Sequence, residues 1–253
     1  CELFPPKTGA ALARVEDVLR DTAALGPDFI SVTYGAGGST SKRTLELAAR
    51  LQDAYHVPAL AHLTCVSSTR EEVTQQVARL RAAGIGSILA LRGDIPQDTS
   101  FPTPEHFRYA SELIREIREK GDFCVGGACY PEGHVECEHM ADDIGHLKEK
   151  VEIGCDFLTT QMFFDNNVYY NFLYRILQQN IRVPVVAGIM PVTNGRQIKR
   201  ITELSGTSLT ARFRAIVDKF GDNPKAMKQA GIAYATEQII DLIANGVTAV
   251  HIY

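Results

Sequence analysis

Short, almost continuously apolar runs recur along the chain at regular intervals, and segments with a helical period fill the gaps. The runs are "CELF" (1–4), "DFISVTY" (28–34), "PALAHLTC" (58–65), "SILALRG" (87–93), "FCVGGACY" (123–130), "DFLTTQMFF" (156–164), "VPVVAGIM" (183–190) and "VTAVHIY" (247–253). Runs this apolar on both alternating sets of positions fit strands covered on both faces. Between them, Val73, Val77 and Leu80 share one helical face, as do Phe107, Ala110, Ile114 and Ile117, and then Met140, Ile144, Leu147 and Val151. Thr69 with Glu72 reads as a capping box, and Thr103 with Pro104 as a second helix start. Gly26, Gly84 and Gly154 stand where helix C-terminal caps are expected. Residues 207–245 are long enough for two helices.

Strands that alternate with helices pair in parallel, because each crossover needs a helix to return the chain. Eight strands in 253 residues predict a (β/α)8 TIM barrel spanning 1–253 as one domain. Nothing follows Tyr253, so the helix that packs after strand eight is expected to be absent from this chain. A doubly wound dinucleotide fold is the main rival, supported by the glycine-rich turn in "TYGAGGST" (33–40). That turn has Thr40 where a third glycine belongs, and the next strand lacks a terminal acidic residue for a ribose.

Composition narrows the class. Apolar content of 45% and charged content of 22% are those of an ordinary globular chain. A net charge of −4 argues against nucleic acid or an anionic membrane as a partner. No apolar run reaches the length of a membrane span, and no signal-peptide pattern opens the chain. The first residue is not Met, so residues of the gene product are expected before Cys1. The six cysteines form no C-x-x-C pair, and Cys65, Cys124 and Cys129 lie in or beside apolar runs. That usage fits buried free thiols in the cytoplasm. Cys129, His134, Cys137 and His139 match no standard zinc spacing, and no metal is expected.

In a (β/α)8 fold the functional face is built where the strands end. Those positions hold Glu2, Thr33, His62, Arg92, Asp94, Tyr130, Gln161 and the "GIMP" turn at 188–191. Each also has a plain structural reading. Asp94 before Ile-Pro suits an Asx turn, and Arg92 could pair with it. His62, Thr33 and Gln161 suit hydrogen-bonded core polar groups. The set contains two carboxylates, one Arg, one His and neutral hydrogen-bonding groups. It lacks an activated serine, a Schiff-base lysine and a metal cage. Such a set suits a cofactor-dependent redox site with one acid available for protonation.

The segments "ELFPPKT" (2–8), "VTYGAGGS" (32–39), "AHLTC" (61–65), "LALRGDIP" (89–96), "YPEGH" (130–134), "LKEKVEIGCDFLTTQMFFD" (147–165) and "GIMP" (188–191), in this order, resemble the bacterial-type catalytic barrel of methylenetetrahydrofolate reductase. The resemblance covers nearly the whole chain. It implies an FAD enzyme that takes hydride from NADH or NADPH and passes it to 5,10-methylenetetrahydrofolate by ping-pong, yielding 5-methyltetrahydrofolate. It also implies a homo-oligomer, with an electron-transfer partner subunit as another source of electrons.

By the same resemblance, Glu2 matches the general acid that opens the folate ring, and Asp94 the aspartate beside the flavin that also contacts the pterin. Thr33, His62, Arg92, Gly93, Asp94, Tyr130, His134, Asp143 and Lys150 match cofactor-holding positions. Glu2, Asp94, Gln161 and Gln197 match folate contacts. The glycine-rich turn at 35–38 becomes a close backbone approach to the cofactor. Cys1 and Leu3 flank Glu2 where the family often has phenylalanines, and Ile201 stands where some members carry an aromatic ring. Two other readings keep the fold: a folate-binding methyltransferase barrel, and a flavin-binding subunit that depends on a partner.

Overall fold

A computed structural model describes residues 1–6, 9–34, 41–66, 68–95 and 101–253, the side chains of 9–13, 41 and 199 excepted. By its internal contacts the chain divides into two compact units, Cys1–Gly127 with Glu152–Asp156, and Ala128–Val151 with Phe157–Tyr253.

The first unit begins with β1 (Glu2–Leu3), α1 (Gly9–Ala23), β2 (Ile30–Val32), α2 (Ser41–Tyr55) and β3 (Ala59–Thr64). It continues with α3 (Arg70–Ala82), β4 (Ser87–Leu91), α4 (Ala110–Lys120) and the start of β5 (Cys124–Cys129). Neighbouring strands pair in parallel, with Glu2 opposite Ser31, Ser31 opposite Leu60 and Leu60 opposite Ser87. Ile30, Val32, Ala61, Leu63, Ile88 and Ala90 are buried, which accounts for the apolar strand sequences. The predicted face of α3 is buried at Val73, Val77 and Leu80, and Thr69 with Glu72 forms the predicted capping box. Gly84 follows α3 at φ +70, a conformation that only glycine adopts without strain.

One helix start differs from expectation. α4 begins at Ala110, not after Thr103. The Thr103 hydroxyl lies 2.6 Å from His106 Nδ1, and His106 N–H donates to the Thr103 carbonyl, closing a turn. The carbonyls of Glu105 and His106 are taken by Arg70 at the start of α3, so they are spent outside a helix ladder. Phe107 is still buried, with the Arg70 guanidinium 4.4 Å from its ring centre. At the other end of α4, Arg118 donates to the carbonyls of Gly154 and Phe123 and pairs with Asp156, tying this helix to the 152–156 segment.

The second unit holds the end of β5, most of α5 (Met140–Ile153), β6 (Phe157–Thr160), α6 (Asn166–Gln178) and β7 (Val185–Ile189). After these come α7 (Gly195–Ser205), α8 (Ala211–Phe220), α9 (Pro224–Ala244) and β8 (Val250–Ile252). β6, β7 and β8 pair in parallel, with Leu158 opposite Val185 and Ala187 opposite Val250. The two helices predicted in 207–245 are α8 and α9. Met162, Phe164, Val192, Ile198, Phe213 and Met227 form one buried cluster, and Phe163, Tyr169, Ala187, Ile189, Ala235 and Leu242 another. Stacked pairs Phe164–Phe213 and Phe163–Tyr169, with ring centres 4.9 and 5.1 Å apart, add to the burial.

Eight parallel strands alternating with helices place the chain in the (β/α)8 TIM-barrel class, as the hydrophobic pattern predicts. No helix of the described residues is long and apolar enough to cross a membrane. The six cysteines are free thiols. Cys65, Cys129 and Cys155 are buried, whereas Cys124 opens β5 with its side chain exposed, contrary to the expectation from its apolar run.

Candidate active site

In the first unit the candidate residues follow the strands. Glu2 lies in β1, Thr33 just after β2, His62 in β3, and Arg92, Gly93 and Asp94 directly after β4. The carboxyl of Glu2 is 8% exposed. Its Oε2 accepts from the Ser31 hydroxyl at 3.4 Å and lies 3.5 Å from His62 Nε2, itself on a side chain 9% exposed. Burial pushes the Glu2 carboxyl up to about 7, against the Ser31 hydrogen bond and the nearby amine of Cys1, which pull it down. A carboxylic acid that keeps its proton near neutrality can serve as a general acid.

Thr33 ties two elements together: its N–H donates to the Leu3 carbonyl and its own carbonyl accepts from the Thr44 hydroxyl, both at 2.9 Å. Arg92 is half-buried, and its carbonyl accepts from the Val66 N–H and the buried Cys65 thiol. Gly93 follows at φ +85, and a Cβ there would press on Thr64 and Val66 at 3.3 Å. The turn therefore needs glycine, and it delivers Asp94 to an exposed position.

In the second unit the loop after β5 carries Tyr130 and His134, whose rings meet edge-on with centres 4.6 Å apart. Gly133, at φ +91, turns the chain between them. Asp143, in the first turn of α5, accepts from the His134 N–H at 3.2 Å. Lys150, two turns further along α5 on the same face, donates to the Ala128 carbonyl at 2.9 Å. Gln161 follows β6, and its Oε1 accepts from the Met162 N–H at 3.0 Å, which fixes the amide. Gln197 is exposed on α7, apart from these contacts.

The structure thus brings Glu2 and His62 together in one unit, and Tyr130, His134 and Asp143 in the other. The glycine-rich turn at 35–38 lies outside the described residues. Among the described residues no cluster of His, Cys, Asp or Glu could hold a metal ion. Ser31, fully buried against Glu2, was not among the sequence candidates. Its signal was present, since Ser31 and Thr33 are polar positions two apart in an otherwise apolar strand, hence on one face. Tyr253, whose hydroxyl donates to the Thr160 carbonyl beside the "GIMP" turn, carried no such signal.

Comparison with known proteins bears on the family of the chain. The profile of the methylenetetrahydrofolate reductase family matches residues 1–253. Methylenetetrahydrofolate reductase (NADH) 1 of Arabidopsis thaliana is 36% identical over 265 residues, covering 100% of this chain and 45% of the plant protein. The 5,10-methylenetetrahydrofolate reductase of Escherichia coli is 32% identical over 252 residues, covering 100% of this chain and 84% of that protein. The chain thus spans a little under half the length of its plant relative. Among solved structures, a protein from Clostridium thermocellum that binds two copies of 5-methyl-5,6,7,8-tetrahydrofolic acid superimposes with a TM-score of 0.63 at 13% identity, over 99% of this chain and 86% of that one. At that identity the likeness speaks for the fold.

Proposed function

The chain belongs to the methylenetetrahydrofolate reductase family, and from that premise we propose that it reduces 5,10-methylenetetrahydrofolate to 5-methyltetrahydrofolate, with FAD as its cofactor and NADH as the electron donor. The observation that carries the reading is the burial of the Glu2 carboxyl, 8% exposed, which pushes its pKa up to about 7. Opening the five-membered ring of the substrate requires a proton on the nitrogen that leaves the bridging carbon. Glu2 supplies it, the carbon–nitrogen bond breaks, and the cationic iminium left behind accepts hydride at carbon. Asp94, a carboxylate at the end of β4, stabilises that cation electrostatically.

FAD, when bound, would supply the hydride. The donor set suits it. In the first unit Arg92 offers charge and Thr33, His62 and Asp94 offer hydrogen-bonding groups; in the second, Lys150 offers charge and Asp143 a hydrogen-bonding group, the chemistry a diphosphate and a ribityl chain take up. Tyr130 and His134 add two aromatic rings in edge-to-face contact, and Gly93 makes the turn that carries Asp94. Gln161 and Gln197 are the residues assigned to folate. NADH as donor follows the name of the plant relative.

An anaerobic visible spectrum of the purified protein, taken before and after addition of 5-methyltetrahydrofolate, tests the reading. Flavin bands that bleach with the folate are the expected result, because the reaction then runs backwards. A protein that takes up no flavin overturns it.

A further inference from the structure

Glu2, Ser31 and His62 stand on three adjacent parallel strands. Register sets Glu2 beside Ser31 and Ser31 beside Leu60, and His62 lies two residues further along β3. Since side chains alternate with period two, all three project from the same face. Both neighbours approach one oxygen, Oε2, at 3.4 and 3.5 Å. Among the described residues no hydrogen bond is recorded at Oε1.

We propose that His62 is a positioning residue for Glu2: together with Ser31 it anchors Oε2 as an acceptor, so that the proton of the neutral carboxyl is held on Oε1. A protonated carboxyl has one carbonyl-type oxygen, which accepts, and one hydroxyl, which donates. The Ser31 hydroxyl donates to Oε2, and His62 Nε2 stands 3.5 Å from the same oxygen, a contact that a small turn of the ring makes a second donation; two donors at Oε2 make it the carbonyl oxygen. The acidic proton then has a fixed address. When that proton leaves, the same two donors face the new negative charge on the carboxylate, so the transfer needs no reorganisation. This assignment requires the Nε2–H form of the His62 ring. Distances at the long end of hydrogen bonding are usual before a ligand closes a site. The proposal rests on the reading of Glu2 as the acid, and it goes beyond that reading by giving His62 work other than contact with a cofactor.

Infrared spectroscopy of the flavin-loaded protein tests the anchoring without turnover. The neutral carboxyl stretch of Glu2, identified by its loss in Glu2→Gln, should move to higher frequency in His62→Ala, because its carbonyl oxygen loses a donor. It should stay near its wild-type position in His62→Gln, whose amide N–H can occupy the place of Nε2. Ser31→Ala should shift the band in the same direction, which provides the readout should His62→Ala fail to fold. A band that moves in neither alanine variant overturns the proposal.

A second arm mixes dithionite-reduced protein with 5,10-methylenetetrahydrofolate. Reoxidation should slow by roughly 10- to 100-fold in His62→Ala, with most of the rate recovered in His62→Gln and reduction by NADH slowed much less. Equal slowing of both half-reactions reduces His62 to a cofactor contact and also overturns the proposal. If the band shifts as expected while the reduced wild-type protein is not reoxidised by the folate, the anchoring stands and the reductase reading fails.

Discussion

The ring of Tyr253 lies against Gly188 so closely that a Cβ at 188 would stand 2.6 Å from both Cε2 and the hydroxyl oxygen of Tyr253, and closer still to the Thr160 carbonyl. The same hydroxyl donates to that carbonyl. Residues of β6, β7 and the end of β8 are thereby locked through one aromatic side chain. Gly188→Ala should cost about 2–3 kcal/mol, since a backbone oxygen and a held ring must both give way. Tyr253→Phe keeps the ring and should cost about 1 kcal/mol for the lost hydrogen bond. Thermal unfolding checks both, and a wild-type midpoint for Gly188→Ala would refute this packing.

Glu2→Gln separates the two halves of the proposed reaction. The amide keeps the size of the side chain and removes its acidic proton. Reduction of the flavin by NADH should proceed at close to the wild-type rate, while reoxidation by 5,10-methylenetetrahydrofolate should fall by about 100-fold or more, the usual reach of general acid catalysis. Stopped-flow absorbance follows each half separately. Equal losses in both would remove Glu2 from the role of acid.

Asp94 is exposed at the end of a turn that Gly93 makes possible. A carboxylate beside a flavin disfavours negative charge on its reduced form, so hydride leaves more readily. Asp94→Asn should therefore raise the flavin reduction potential and slow the folate half-reaction. Titration against a redox dye gives the potential, and an unchanged value would contradict the electrostatic role.

Strands such as β4 and β7 were legible because they are largely buried and so read as unbroken apolar runs, Ile88–Leu91 and Val185–Ile189. Thr69 was legible as a cap because its partner Glu72 is three residues away and local. Thr103 carried the same kind of signal and failed, because its partner is His106 and the carbonyls beyond it serve Arg70, 36 positions back in the chain for the His106 contact. The position of Glu2 at the head of an apolar strand marked it for attention. What the sequence could not disclose was its surroundings: Ser31 is 29 positions away, and only strand register puts it opposite. Gly188 looked like part of a turn motif. Its actual constraint is a ring 65 positions along, contributed by a different strand.

Two buried titratable groups make opposite demands on stability as pH changes, and Glu2→Gln should expose one of them. Burial raises the Glu2 carboxyl from an ordinary 4.5 to about 7. Below 4.5 both folded and unfolded states hold the proton. Between 4.5 and 7 the unfolded chain loses it first, so stability falls as pH rises, by about 3 kcal/mol in all. Burial lowers His251 from 6.5 to about 4. Its contribution is present above 6.5 and is lost as pH falls through 4, again by about 3 kcal/mol. From 6.5 to 4.5 the two largely offset each other in the wild type. Glu2→Gln removes one limb, so the variant should lose more than about 2 kcal/mol on acidification over that interval and should exceed the wild type by up to about 3 kcal/mol at pH 8. Urea unfolding midpoints of both proteins from pH 4.5 to 8 measure this, because groups common to the two cancel in the difference. Parallel curves would mean that Glu2 is ionised in the folded protein, and the acid assigned to it would have to be sought elsewhere.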